Sequence, residues 1–275
     1  MTINGLNACV NKTCTRTTLS RLRSYFGITV LIVDAYGWLH AAKHITGVVE
    51  LLSCNLPCPP LYAFVERRVS ALSMGGKFKV ILVFDGLSVN KGDTENTRQQ
   101  VRLQQRKDGL AAQADGDYAK VTPLLRAAVD ITPDVAKQVV DYLNELSHDR
   151  KRRIGLQRCV VSINEADPLC CYLNRQIKNS CVVSNDYDVV AWGATACCFK
   201  VNYFSGEIHL FNRDVFHVSA VVSRRLLVVT HQQLIDICVL AGCDYCKNLK
   251  GEGFVRAVNN IRQYGTCYIC ICEHV

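Results

Sequence analysis

No stretch of this sequence approaches the ~18 uninterrupted apolar residues that a membrane span needs, so a transmembrane reading is excluded. The opening, MTINGLNACVNKTC, lacks the long apolar run of a secretory signal. Internal repeats and linker-like low-complexity segments are also missing, which excludes a solenoid and a polar tail. Charge is sparse: 20% of residues are charged, and 32 Lys+Arg against 24 Asp+Glu leave a net +8. An excess of that size is only a weak pointer to a polyanionic partner. What the chain has is apolar mass, 49% of 275 residues. That is enough for one large domain, or a core with a small appendage, and too much for disorder over most of its length. The expectation is a soluble, intracellular, mildly basic protein.

Cysteine is abundant, with 16 residues. A short secreted chain with this count would suggest a disulfide framework, but this one is long and apolar. Only Cys243/Cys246 and Cys267/Cys270 have the two-residue gap of a zinc knuckle, and no His stands at a matching distance between them. Others, such as Cys159 and Cys181, lie inside strand-like apolar runs, where a free thiol behaves as a small hydrophobe. Reduced, structural cysteine is the expected state.

Two β-branched apolar runs each end in an aspartate, Ile28 to Asp34 and Lys79 to Asp85. Such runs read as strands buried on both faces, as in a parallel sheet. Helical spacing from Leu61 to Met74 between them completes a β-α-β unit. A third run, Cys159 to Ile163, leads into Glu165 and Asp167, with Pro168 suited to the first turn of a helix over 169–177. A fourth, Cys181 to Ser184, leads into Asp186 and Asp188, followed by a hairpin around residues 202–206. The result is an α/β fold with a mostly parallel central sheet flanked by helices. The expected organisation is an N-terminal part of the core over 1–87, a helical insertion over 88–155, the internal part of the core over 156–230, and a helix–turn–helix region over 231–275.

Four strand-like runs thus deliver Asp34, Asp85, Glu165 with Asp167, and Asp186 with Asp188 just past their C-terminal ends, where an open parallel sheet binds ligands. Asp244 is a possible seventh. A single strand-end Asp commonly just caps a helix or fills a turn. Four consecutive strands ending this way are harder to assign to capping. If the acids converge, each like-charge pair at about 4 Å is unfavourable by roughly 4 kcal/mol at an effective dielectric near 20, so the cluster makes sense only with cations in it. Oxygen-only ligands select Mg²⁺ or Mn²⁺ over zinc, and two such ions suit in-line attack on a phosphodiester.

Downstream of Lys91, Arg98, Arg102 and Arg106 recur every four residues along one helix face. Guanidinium groups bind phosphate oxygens bidentately, with a solvated helix face beside Asp93, Glu95 and Asp108 as the alternative. A second basic run, Arg150 to Arg153, reads as an exposed loop and at most a sequence-blind phosphate contact.

Together these residues resemble the structure-specific 5′ nuclease family, the XPG-like group, and exonuclease 1 more than flap endonuclease. The matching pieces are Val33 to His40, Val83 to Gly86, Asn164 to Asp167, Ser184 to Asp188, Gly242 to Tyr245, and Lys250 to Gly253. The resemblance runs from Ile3 to about Gly265 and implies a PIN-like nuclease core, a helical arch and a C-terminal helix-two-turn-helix. It implies that Asp34, Asp85, Glu165, Asp167, Asp186, Asp188 and Asp244 are all metal-site residues for two Mg²⁺ ions, replaceable by Mn²⁺. By the same resemblance Lys91 and Arg98 approach the scissile phosphate from the arch, with Arg102 in support. Tyr36 and His40 lie against the nucleotide being cut, where plain packing is the alternative. Lys250, Gly251 and Gly253 hold the duplex backbone, in that family together with a K⁺ ion.

The partner implied is double-stranded DNA with a 5′ end, nick, gap or flap, and the location the nucleus. The sequence departs from the pattern at Thr2, Asn185 and Glu252, and Ala241 and Asn248 replace hydroxyl residues around the K⁺ position. The helices that usually follow the turn motif, and any sliding-clamp peptide, are not seen before Val275. The function expected is a Mg²⁺-dependent structure-specific 5′ nuclease in DNA repair or replication. The rival is a catalytically impaired DNA-structure-binding protein of the same fold.

Overall fold

The computed structural model describes residues 3, 5–54, 56–86, 92–215, 229–243, 245–246, 251 and 253–267. Lys91, Asp244 and Lys250 lie outside the described residues, as do Thr2, Asn248 and Glu252. The chain divides into two compact units, residues 1–34 with 167–275, and residues 35–166.

The first unit opens with α1 (Leu6–Thr13), β1 (Thr15–Thr18), α2 (Leu19–Phe26) and β2 (Val30–Asp34). The chain leaves after β2 through α3 (Tyr36–Ala42), α4 (Val48–Ser53), α5 (Pro59–Ser73), β3 (Lys79–Phe84), α6 (Gly92–Ala114), α7 (Tyr118–Ala128), α8 (Pro133–Glu145), α9 (His148–Ile154) and β4 (Leu156–Val161), which make the second unit. It returns in α10 (Ala166–Gln176), β5 (Ser180–Val183), α11 (Asp188–Ala191), β6 (Ala196–Phe199) and β7 (Glu207–Asn212), and ends in α12 (His231–Ala241) and α13 (Phe254–Tyr264).

In the first unit the strand order is β1-β7-β6-β5-β2. Strand β2 runs parallel to β5 (Val30 opposite Ser180, Val33 opposite Val183), and β5 parallel to β6. The expected hairpin is β6–β7, antiparallel with Phe199 opposite His209. Leu31, Ile32 and Val33 are fully buried, as a strand covered on both faces requires. Strand β1 carries no apolar run: Thr-Arg-Thr-Thr pairs antiparallel with β7 at the sheet's edge. Its hydroxyls and arginine are exposed or half-buried, so the signal that identifies buried strands is absent. The mixed sheet therefore has an antiparallel end.

Cys181, Cys197 and Cys198 sit on β5 and β6 at 0% exposure, and every cysteine among the described residues is free. Burial pushes the Cys181 and Cys197 thiols well above their usual range, so they stay protonated and pack as small hydrophobes.

In the second unit, α5 starts with proline in its first turn and buries Leu61, Val65, Val69 and Leu72 at the expected spacing. Strands β3 and β4 pair in parallel, Phe84 opposite Val161. Between them the chain is helical. The amphipathic α8 buries Val135, Ala136, Val139, Val140 and Leu143. The basic run Arg150–Arg153, expected as a loop, is instead the body of α9. Ser147 Oγ accepts the Arg150 N–H at its start, and Gly155 in the left-handed region closes it. The Arg150 guanidinium reaches the buried Glu66 carboxylate in a fork, Nε–Oε2 at 3.0 Å and Nη2–Oε1 at 3.2 Å, and the Tyr142 hydroxyl donates to the same carboxylate. The third strand is displaced from the expected 159–163 to 156–161. The chain enters it directly from Gly155, and Ile163, counted as its last apolar residue, is 89% exposed.

The buried β2 gives a direct test. Leu31→Ala should lower unfolding free energy by about 3 kcal/mol, the transfer and cavity cost of a filled core position. Thr15→Ala at the exposed start of β1 should stay within about 0.5 kcal/mol. Urea unfolding of both variants measures the contrast; a smaller loss for Leu31→Ala than for Thr15→Ala would contradict the assigned core.

Candidate active site

In the first unit, Asp34, Asp186 and Asp188 join one hydrogen-bond chain built on Ser184. Ser184 follows β5, is 4% exposed, and its hydroxyl donates to Asp34 Oδ2 at 3.0 Å. Ser184 Oγ in turn accepts the Asp186 N–H at 3.0 Å. Asp186 Oδ1 accepts the Asp188 N–H at 3.0 Å, and Asp188 Oδ1 accepts the Ile3 N–H at 3.3 Å. Asp188 also opens α11, where a carboxylate meets the helix's unpaired N–H groups favourably. Asp167 stands in the first turn of α10. The Cys170 thiol is pushed well above its ordinary value, by burial first and then by Asp34 and Asp167, so both carboxylates act on one buried point. All four acids are half-buried.

In the second unit, Asp85 follows β3 and its Oδ1 accepts the Ala166 N–H at 2.6 Å, which ties it to the turn that carries Glu165. The turn is close-packed: the Gly86 N–H donates to the Asn164 carbonyl at 2.7 Å. A Cβ on Gly86 would lie 1.9 Å from the Ser162 carbonyl oxygen, so only glycine lets these backbones approach.

Arg98 is exposed on α6, and Arg106 likewise. Arg102 turns toward the α7–α8 connection and forms a two-pronged pair with Asp130, Nη2–Oδ1 at 3.0 Å and Nη1–Oδ2 at 3.1 Å. The arginines share spacing but not environment. The connection also grips α3: the Tyr36 hydroxyl donates to the Ile131 carbonyl and Lys43 Nζ to the Val129 carbonyl at 3.0 Å. Tyr36 meets His40 edge-on with ring centroids 5.5 Å apart. His40 is pushed down from 6.5 to about 4, by burial first and then by Lys43, Arg102 and, more weakly, Arg98, against the opposing pull of Asp130. It is neutral at pH 7.

Within the turn between α12 and α13, Gly251 (φ 83°) and Gly253 are described, and Gly253 stands at the N-terminus of α13. Among the described residues, no three His, Cys, Asp or Glu side chains are grouped closely enough to hold a metal ion. The candidate donors are nevertheless all carboxylate oxygens, a set that suits a hard divalent cation and not zinc. Sequence reasoning missed Ser184, Lys43 and Asp130. Ser184 stood inside a quoted motif and differs from a generic turn residue only by its contacts. No helix among the described residues is long and apolar enough to cross a membrane.

The fold of the chain is similar to those of two solved structures. Over 96% of this chain and 69% of the other, it superposes on the catalytic core of Rad2 in complex with DNA substrate, with a TM-score of 0.59 at 17% identity. On human GEN1 in complex with Holliday junction DNA, the TM-score is 0.58 at 16% identity, over 94% of this chain and 55% of that one. Residues 157–244 match the XPG I-region family model.

More particularly, the chain is similar to exonuclease 1. It is 29% identical over 229 residues to Exonuclease 1 of Oryza sativa subsp. japonica, covering 82% of this chain and 25% of the relative. It is 29% identical over 248 residues to Exodeoxyribonuclease 1 of Saccharomyces cerevisiae, covering 89% and 33%. The chain thus spans a quarter to a third of the length of these relatives.

Two outcomes follow from the geometry. Ser184→Ala removes the acceptor of the half-buried Asp186 N–H and the hydroxyl that donates to Asp34, and should cost about 1–3 kcal/mol in urea unfolding; an unchanged midpoint would refute the tie. For His40, the unfolded chain binds a proton from pH 6.5 downward while the folded chain resists until about 4. Its contribution to stability is therefore complete above 6.5 and is lost as pH falls toward 4. Unfolding midpoints measured across that window should slope less in His40→Gln; an identical slope would remove His40 as the cause.

Proposed function

We propose that this chain is a Mg²⁺-dependent 5′ nuclease that hydrolyses phosphodiesters of double-stranded DNA presenting a 5′ end, nick, gap or flap, in repair or replication within the nucleus. The observation that carries the reading is the succession of strand ends bearing carboxylates, Asp34, Asp85, Glu165 with Asp167, and Asp186 with Asp188, in a chain similar to exonuclease 1. Two Mg²⁺ ions, or Mn²⁺ in their place, would be held by these six acids and Asp244, and would supply Lewis-acid charge at the phosphate under attack.

The chain's own groups do the rest. Lys91 and Arg98 donate to the non-bridging oxygens of the scissile phosphate and offset the charge that develops there. Arg102, already oriented by Asp130, supports them with a second fork. Tyr36 and His40 lie against the nucleotide to be cut; with His40 neutral, its ring offers one donor and one acceptor and brings no charge of its own. Lys250, Gly251 and Gly253 hold the duplex backbone at the turn between α12 and α13, where open N–H groups at a helix start suit phosphate.

Incubation with a 5′-labelled recessed duplex and Mg²⁺ should give product with the native chain and at least about 100-fold less with Asp186→Ala, a loss of several kcal/mol of charge stabilisation. Equal product from both would discredit the site. Cleavage position on a flapped duplex then separates removal of nucleotides from the end from cutting at the branch. Tight binding of that duplex without cleavage in Mg²⁺ or Mn²⁺ would replace the reading with that of a DNA-structure-binding protein.

A further inference from the structure

Two thiol pairs in the first unit stand with their sulfurs 3.4 Å apart, Cys181 with Cys198 and Cys243 with Cys246. The first pair is at 0% exposure inside the sheet. The second lies between α12 and α13, and both of its cysteines are partly open to solvent. Its backbone is closed as well: the Cys243 N–H donates to the Cys246 carbonyl at 2.9 Å, and the Cys246 N–H to the Cys243 carbonyl at 3.3 Å. Residues that exchange both backbone bonds have Cα atoms about 5.5 Å apart, inside the range that a disulfide spans. The sulfurs would close from 3.4 Å to a bond of about 2.05 Å.

We propose that Cys243 and Cys246 are an oxidation site, forming a reversible disulfide that ties these two residues together. The oxidant is a low-molecular-weight disulfide such as oxidised glutathione. One protein thiol attacks a sulfur of that disulfide, forms a mixed disulfide and releases one small thiol. The second protein thiol attacks the mixed bond and releases the other. Two electrons pass from the protein to the oxidant, and both S–H protons end on the two small thiols. The Cys181–Cys198 pair has the proximity but no path for the oxidant, so the selectivity comes from exposure. A consequence for cleavage rests on the proposed nuclease function, because the bond brackets Asp244.

The whole chain is equilibrated in glutathione buffers of increasing oxidised fraction, quenched with a thiol-alkylating reagent, digested and mapped by mass. Cys243 and Cys246 should lose the label together before any buried cysteine does, and dithiothreitol should restore both. Cys246→Ala should instead hold a single glutathione on Cys243. Retention of both labels at a poise where the exposed Cys54 is already glutathionylated would overturn the site, and so would pairing of Cys243 with Cys238. In parallel, oxidation should lower nuclease turnover in native protein and not in the double variant Cys243→Ala with Cys246→Ala, which keeps neither thiol. Absence of any cleavage in the reduced protein bears on the proposed function alone, since the label map does not depend on it.

Discussion

A carboxylate placed just past a strand end is the recurring constraint within each of the two units. Each carboxylate whose partners are resolved receives a donor from a neighbouring turn: Asp34 from Ser184, Asp85 from Ala166, Asp186 from Asp188, and Asp188 from Ile3. A hydrogen bond to a charged group is worth about 1.5–3 kcal/mol, whereas one like-charge pair at 4 Å costs about 4 kcal/mol at an effective dielectric near 20. These donors fix where the oxygens point, and the repulsion would have to be met by something positive if these groups are to work together. The backbone is committed to orientation, and a cation is the natural source of the missing charge. The oxygen-only donor set points to a hard one.

The sheet that carries these acids is built to stay out of that chemistry. Buried thiols on β5 and β6 fill it at 0% exposure and remain protonated, so cysteine contributes volume and no charge behind the acidic edge. The antiparallel end formed by β7 and β1 lies at the other side of the strand order from β2, and its outer strand presents hydroxyls and an arginine to solvent. An exposed edge of that composition discourages further strand pairing.

Much of this was legible in the sequence wherever burial itself wrote the pattern. Runs such as Val30 to Val33 are apolar because both faces of the strand are covered, so strand and strand end were both visible, and with them the acids that follow. Elements held by pairing were not. Thr15 to Thr18 is a strand because β7 lies beside it, a fact that no local window contains. The run Arg150 to Arg153 lacks apolar periodicity and reads as a loop, although Ser147 and Gly155 were in place as start and stop signals. Ser184 was visible as a motif residue, but the bond that gives it a role reaches Asp34, 150 residues away. The spacing of Arg98, Arg102 and Arg106 identified a helix face correctly, while the acid that engages its middle member lies 28 residues further on.

That engagement bears on how a surface arginine can be oriented without being trapped. Arg102 is 22% exposed and Asp130 is 41% exposed, so water screens the pair and its net worth is within the 0–1 kcal/mol of surface ion pairs. Geometry is a separate matter. A guanidinium fork matches phosphate as well as it matches a carboxylate, and a fork already held in plane gives up less rotamer freedom when it changes partner. Asp130 therefore orients Arg102 at little cost to its release. Arg98 is exposed on the same helix. The neutral His40 nearby follows from the same crowd of positive groups: a third cation beside Lys43 and Arg102 would raise the repulsion that Asp130 only partly offsets. The helix face thus keeps its charge on arginine, which does not titrate in the physiological range, and the ring that shares the site remains uncharged as the pH varies about neutrality.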